Sequence, residues 1–157
     1  MNRLLACLIV AALSASSSEA GKRRCTLRVH AEANTHDSDV FSTQLRSPAT
    51  GRNVTIEKVP TISESDVASF RAYPAPDGSF GVLFQLNDHG KLALDTLSID
   101  RRGTMLYLFV NSRPAAELQI DRRVADGKLY IASGLTAADI ALMKTDWPAA
   151  SGTKKRP

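Results

Sequence analysis

The feature that most constrains this chain is a change of period at Asn87. Phe80-Gly-Val-Leu-Phe-Gln-Leu86 is a hydrophobic run of strand length. Asn87-Asp88 then offers a helix cap. Beyond it Leu92, Ala93, Leu94, Leu97 and Ile99 recur at spacings of three, four and seven, which predicts a helix with an apolar face. Arg101-Arg102-Gly103 closes that helix, because cations suit its negative end and glycine accepts a left-handed cap. Residues 105–110 and 115–120 read as two strands separated by Asn111-Ser112-Arg113-Pro114. Asp126-Gly127 is a turn, and residues 128–132 make a short last strand. Thr136 with Asp139 forms a capping-box pattern, and Ile140, Met143 and Trp147 are spaced for one buried helix face. Pro148 stops the helix.

Upstream the pattern is strand-like. Leu27, Val29 and Ala31 alternate with Arg28, His30 and Glu32, so residues 26–33 read as a first strand. Residues 34–39 are polar and turn-like, and residues 41–46 form a short extended piece. Ser47-Pro48-Ala49-Thr50-Gly51 is a loop, and residues 53–59 make a second strand with Val54, Ile56 and Lys58 on one face. Ser63-Glu64-Ser65-Asp66 caps one helical turn. Residues 67–73 then pair with Phe80–Leu86 across the turn Pro74-Ala-Pro-Asp-Gly78. Strands outnumber helices, which predicts an α+β fold, a mostly antiparallel sheet with two main helices packed on one face. Ile140, Met143 and Trp147 should bury one stripe of the final helix against Phe84, Leu86 and the 106–110 strand. The opposite face, with His30 and Glu32, should stay free.

The ends of the chain indicate its compartment. Met1-Asn2-Arg3 is basic, residues 4–13 are unbroken apolar, and Ser18-Glu19-Ala20 fits a small-x-small cleavage site. This is the layout of a signal peptide over residues 1–20, cut after Ala20, and it points to a secreted or periplasmic protein. The apolar run is too short for ~30 Å of hydrocarbon, so no membrane span is expected. Residues 21–147 have the length of a single domain, and residues 148–157 read as a disordered tail. A formal net charge of +4 is mild. Its basic runs, Lys22-Arg23-Arg24 and Lys154-Lys155-Arg156, lack interleaved aromatics, so no nucleic acid is expected as partner. Cys7 falls in the signal. Cys25 alone remains, which excludes an intramolecular disulfide. The three cations before it favour the thiolate. A half-buried strand residue is the simplest reading, with an intermolecular disulfide as the exception.

Several segments together carry a resemblance. Phe84-Gln-Leu-Asn-Asp-His-Gly90, Arg102-Gly103, Val110-Asn-Ser-Arg113, residues 120–127 and Ile131-Ala-Ser-Gly-Leu-Thr-Ala-Ala-Asp-Ile140 resemble the head subdomain of the first periplasmic domain of SecD/SecDF proteins, accessory membrane proteins of protein export. The similarity runs over roughly residues 67–144, within a head-like part at 67–147. This chain lacks the family's transmembrane helices and hence a proton path. The resemblance therefore implies the fold and contact with polypeptides, and not a translocation motor.

Chemistry is sparse. His30, Glu32, His36, Asp37 and Asp39 are the one group with metal-ligand chemistry, but their spacing matches no standard zinc pattern. Solvated polar residues on a strand and its turn are the simpler reading. His89 sits where a helix cap sits. Asp95 and Asp100, five apart, fall on different helix faces, so they are no acid–base pair. Neither a nucleophile elbow nor a glycine-rich phosphate loop occurs. These readings assign no catalytic residue and no cofactor, and the chain is not expected to be an enzyme. They predict an exported, non-catalytic binding or accessory module that contacts a polypeptide or envelope protein through a sheet edge or face. The alternative is a secreted metal-dependent hydrolase built on the His30–Asp39 cluster.

Overall fold

The structure, a computed structural model, describes residues 25–34 and 40–150. Its strands are β1 Leu27–Ala31, β2 Ser42–Arg46, β3 Asn53–Glu57, β4 Ile62–Ser63, β5 Val67–Pro74, β6 Phe80–Leu86, β7 Met105–Val110, β8 Arg113–Gln119 and β9 Lys128–Leu135. Helix α1 spans Asp88–Asp100 and α2 spans Ala137–Asp146, while a 3-10 turn over Glu64–Asp66 precedes β5. Pairing between strands is antiparallel throughout. The fold is α+β, as the alternation and capping patterns predict. The signal-peptide reading falls on residues 1–20, which lie outside the described residues.

Three sheets form. One has the order β4-β1-β7-β8, one the order β5-β6-β9, and β2-β3 is a separate hairpin. Leu27, Val29, Ala31, Leu106, Leu108 and Val110 line the inner face of the first. Phe70, Val82, Phe84, Leu129 and Ile131 line that of the second. Leu94 and Leu97 of α1 join them in one core with Ile140 and Met143 of α2. Trp147, the C-cap of α2, meets Phe84 edge-on at 5.9 Å and Phe70 at 6.4 Å. Such pairs contribute ~0.5–1.5 kcal/mol beyond the area they bury.

The helix caps are those the sequence predicts. The Asn87 side chain accepts the Gly90 N–H, and Thr136 and Asp139 form a reciprocal capping box. The apolar face of α1 is narrower than expected. Leu94, Leu97, Gly90 and Ser98 are buried, whereas Leu92 and Ile99 are 66% and 55% exposed. A spacing of seven puts Leu92 and Ile99 on one face, but that face is rotated well away from Leu94 and points outward.

Four further expectations are corrected. The β7-β8 connection is a two-residue turn, with Asn111 and Ser112 at φ 51° and 62°. Its twist suits a hairpin. Strand β8 therefore starts at Arg113, and Pro114 lies beside a bulge between Leu108 and Phe109, where a missing N–H is tolerated. Strand β9 runs past residue 132 to Leu135, because an irregularity opposite Phe80–Val82 is taken up by Gly134 at φ +94°. The chain after Pro148 is not free along its first residues. The Phe70 N–H donates to the Pro148 carbonyl at 3.2 Å, and the Ala150 N–H donates to the Phe70 carbonyl at 2.8 Å. Finally, the β2-β3 hairpin covers the face of β1 and β7 that was expected to be open. His30 Nδ1–H donates to the Glu57 carbonyl at 2.8 Å, Arg101 pairs with Glu57 at 2.6 Å, and Tyr107 is buried.

Candidate functional site

Of the ligand-like cluster, only His30 and Glu32 are described; His36, Asp37 and Asp39 lie outside the described residues. One His30 nitrogen is engaged by Glu57, and the ring packs edge-on against Phe109. Glu32 accepts the Met105 N–H at 3.4 Å, and its carbonyl accepts from Arg101. Among the described residues no three His, Cys, Asp or Glu side chains gather as a metal site. His89 does not cap α1. Its Nδ1 meets Asp66 Oδ1 at 2.7 Å, and Asn87 supplies the cap.

Two buried carboxylates are perturbed, and both serve the frame. Burial raises the Asp66 carboxyl, but the Ser63 N–H and hydroxyl together with His89 outweigh it and hold the group below the usual carboxylate range. Burial likewise raises Asp139, and donors from Thr136, Asn111 and Arg113 pull it below that range. Cys25 is fully buried, and its N–H donates to Asp146 at 2.6 Å. Burial, followed by the charges of Asp146, Asp139 and Glu64, pushes its thiol up to about 12. The thiolate expected from the preceding cations is thus disfavoured, and a buried sulfur is not offered to a second chain.

The open site lies elsewhere, between two sheet edges. β8 ends the first sheet and β9 ends the second. A Cβ built on Gly134 would lie 3.6 Å from the Ala115 carbonyl, so the strands approach there. They part toward Leu118 and Tyr130, leaving a groove of about 820 Å³. Leu94, Leu106 and Ile120 floor it, and residues 121–126 rim it. Ile120 exchanges main-chain hydrogen bonds with Gly103 and Thr104, so the alternation of an antiparallel ladder turns Glu117 and Gln119 outward. Leu86 donates to Gly127, and the same alternation turns Lys128 and Tyr130 outward from β9. Among the described residues no neighbouring strand pairs these outward main-chain groups, although the Lys128 N–H is taken by the Asp126 carboxylate at 3.1 Å.

Charge on the rim is partly neutralised. Arg123 clamps Asp95 with bonds of 2.6 and 2.7 Å and holds that carboxyl low. Lys128 lies 3.5 Å from Asp126. Arg122 is exposed at the groove. Sequence reasoning missed this wedge because no motif marks it. The one available signal was the wide connection 120–127, too long for a tight hairpin between β8 and β9.

A structure of SecDF, a membrane component that enhances protein export, matches with a TM-score of 0.55 over 86% of this chain and 70% of that one. The chain shares its fold with a part of SecDF. A second structure, SecDF in its super-membrane-facing form, matches with a TM-score of 0.53 over 80% of this chain and 19% of that one. Identity is 16% in both. The SecDF likeness extends beyond the roughly 67–144 stretch legible in the sequence. No helix among the described residues is long and apolar enough to cross a membrane. No family model matches the sequence, and no curated protein matches it.

Proposed function

We propose that this chain is an exported, non-catalytic accessory module that holds an extended polypeptide segment in the wedge between β8 and β9. The observation that carries the reading is the pair of sheet-edge strands facing one groove, with Leu118 and Gln119 on one wall and Lys128 and Tyr130 on the other. An extended peptide entering there adds a strand, gaining main-chain hydrogen bonds from both walls and apolar contacts from Leu94, Leu106 and Leu118. Such recognition depends weakly on side-chain sequence, which suits a protein that meets many clients. SecDF is described as enhancing protein export, and the shared fold supports a related role in assisting translocating chains. The signal-peptide pattern over residues 1–20 supports a workplace outside the cytoplasm, secreted or periplasmic.

The test uses a labelled synthetic peptide of alternating valine and threonine. On titration, the amides of Gln119 and Tyr130 should shift and gain exchange protection, and Leu118→Glu should weaken binding. Shifts confined to residues away from the wedge would sink the proposal.

A further inference from the structure

We propose that the outer edge of β5 is a second strand-acceptor site, which takes an extended acidic segment of a partner in parallel orientation, and that Pro148–Ala150 is the chain's own occupant of that site. The edge lies on the far side of the β5-β6-β9 sheet from the wedge, and its argument does not rest on the wedge.

The edge already holds an extended segment. Phe70 and Ala149 form a parallel bridge, and both main-chain groups of Phe70 are engaged by Pro148 and Ala150. Phe70 thus points its N–H and carbonyl away from β6. The two-residue alternation then turns those of Ala72 the same way. Pro74 has no N–H to give, so the acceptor edge ends there. The seat filled by Ala149 and Ala150 continues as a groove of about 290 Å³ running toward Pro74. Phe80 and Ile140 give it an apolar side. Arg71 and Lys144 also line it; both are exposed, and neither side chain has a hydrogen-bond or ion-pair partner among the described residues. Two unopposed cations beside an apolar strand edge select an extended segment that alternates apolar and acidic residues.

Two hydrogen bonds hold the resident segment, one of them long at 3.2 Å. A partner strand that reaches Ala72 as well makes more, and the cations then find carboxylates. The intramolecular occupant lowers the apparent affinity by the fraction of molecules in which the edge is closed. Pro148–Ala150 therefore acts as a removable cover.

The test uses the full chain and a labelled hexapeptide of alternating valine and glutamate. Ala150→Pro removes the N–H that closes the seat, and it should raise affinity about tenfold or more by opening the edge. Ala72→Pro removes an outward N–H without touching the β5-β6 ladder, and it should abolish binding in either background. The Ala72 amide should gain exchange protection on titration, and the matching valine–lysine peptide should not bind. Unchanged affinity in Ala150→Pro would overturn the proposal. So would peptide-induced protection at Tyr130 in place of Ala72, since that assigns the peptide to the wedge. Concentration-dependent dimerisation of Ala150→Pro without peptide binding would mean that the edge accepts a second copy of this chain, and the heterologous partner would be withdrawn.

Discussion

Arg113 donates to Asp139 at 2.6 Å and so ties the first residue of β8 to the first turn of α2. Asn111, in the hairpin turn, donates to the other oxygen of the same carboxylate at 2.9 Å. Asp139 also accepts from the N–H and hydroxyl of Thr136. One buried side chain therefore satisfies a helix cap and fixes a hairpin.

Asp139 and Asp66 should set the acid sensitivity of the fold. Both carboxyls lie below their ordinary range in the folded state. A depressed carboxyl stabilises the fold above its unfolded value, about 3.9, and that contribution is lost as pH falls through the lower folded value. Chemical unfolding between pH 7 and pH 2 should thus show stability falling below about pH 4. Asp139→Asn should flatten that fall, and Asp139→Ala should cost ~2–3 kcal/mol at neutral pH by removing a cap and a buried acceptor. Identical acid slopes for Asp139→Asn and the parent would refute the assignment.

Gly103 and Gly90 should respond to alanine for different reasons. Gly103 sits at φ +92° with open space around it, so Gly103→Ala strains only the backbone and should cost on the order of 1 kcal/mol. Gly90 lies in α1, where alanine is otherwise the better helix former. A Cβ there meets Asp66 Cβ at 2.7 Å, and the 3-10 turn carrying Asp66 cannot easily yield. Gly90→Ala should therefore destabilise despite its higher helix propensity. A stabilised Gly90→Ala variant in urea titration would show that the two elements are not so tightly apposed.

Trp147 is 3% exposed between Phe70 and Phe84. Trp147→Ala should cost ~3–5 kcal/mol, a large share of the stability of a small domain. As the only tryptophan, it allows a direct reading. Native emission should be blue-shifted and resist iodide. Free quenching in the native state would mean that α2 does not dock this way.

Zinc offers a test of the hydrolase alternative. His30 already donates to Glu57, so added zinc or chelator should leave the melting temperature unchanged in the parent, in His30→Ala and in His36→Ala. A zinc-dependent rise that disappears in either variant would restore the metal reading, since a ligand of the folded state raises stability by mass action.

The export reading has its own check. Intact mass of the protein from its native host should begin at Gly21. A cytoplasmic product that retains Met1 would remove the signal-peptide assignment.

What was legible in the sequence was local. Leu27, Val29 and Ala31 give β1 its inner face by alternation, and Thr136 with Asp139 marks the start of α2. The span of β6 was readable from its apolar run. The packing of the Ile140, Met143 and Trp147 stripe was readable in outline: it shares one core with Phe84, Leu86 and the β7 residues Leu106, Leu108 and Val110, while the edge-on contact of Trp147 with Phe70 was not foreseen. What was not legible depends on pairing between distant segments. Alternation cannot say that β2-β3 folds over His30 and Tyr107, because a polar face looks the same under a hairpin as under water. Nor can it say that β8 and β9 stay unpaired, since an unpaired edge has the composition of a paired one. The pairing of Ala150 with Phe70 was hidden for the same reason: small residues after a proline carry no strand signature.

The burial of Cys25 turns the molecule into its own clock. A thiol with no exposed surface and an ionisation pushed up to about 12 is closed to a modifying reagent while β1 is in place. Labelling then requires an opening that frees the strand from β4 and β7 and releases the Cys25 N–H from Asp146. The rate of modification at saturating reagent reports how often that excursion occurs, and at low reagent it reports how much of the population is open. A client or partner that grips an edge and slows the excursion thereby becomes visible at a sulfur it never touches.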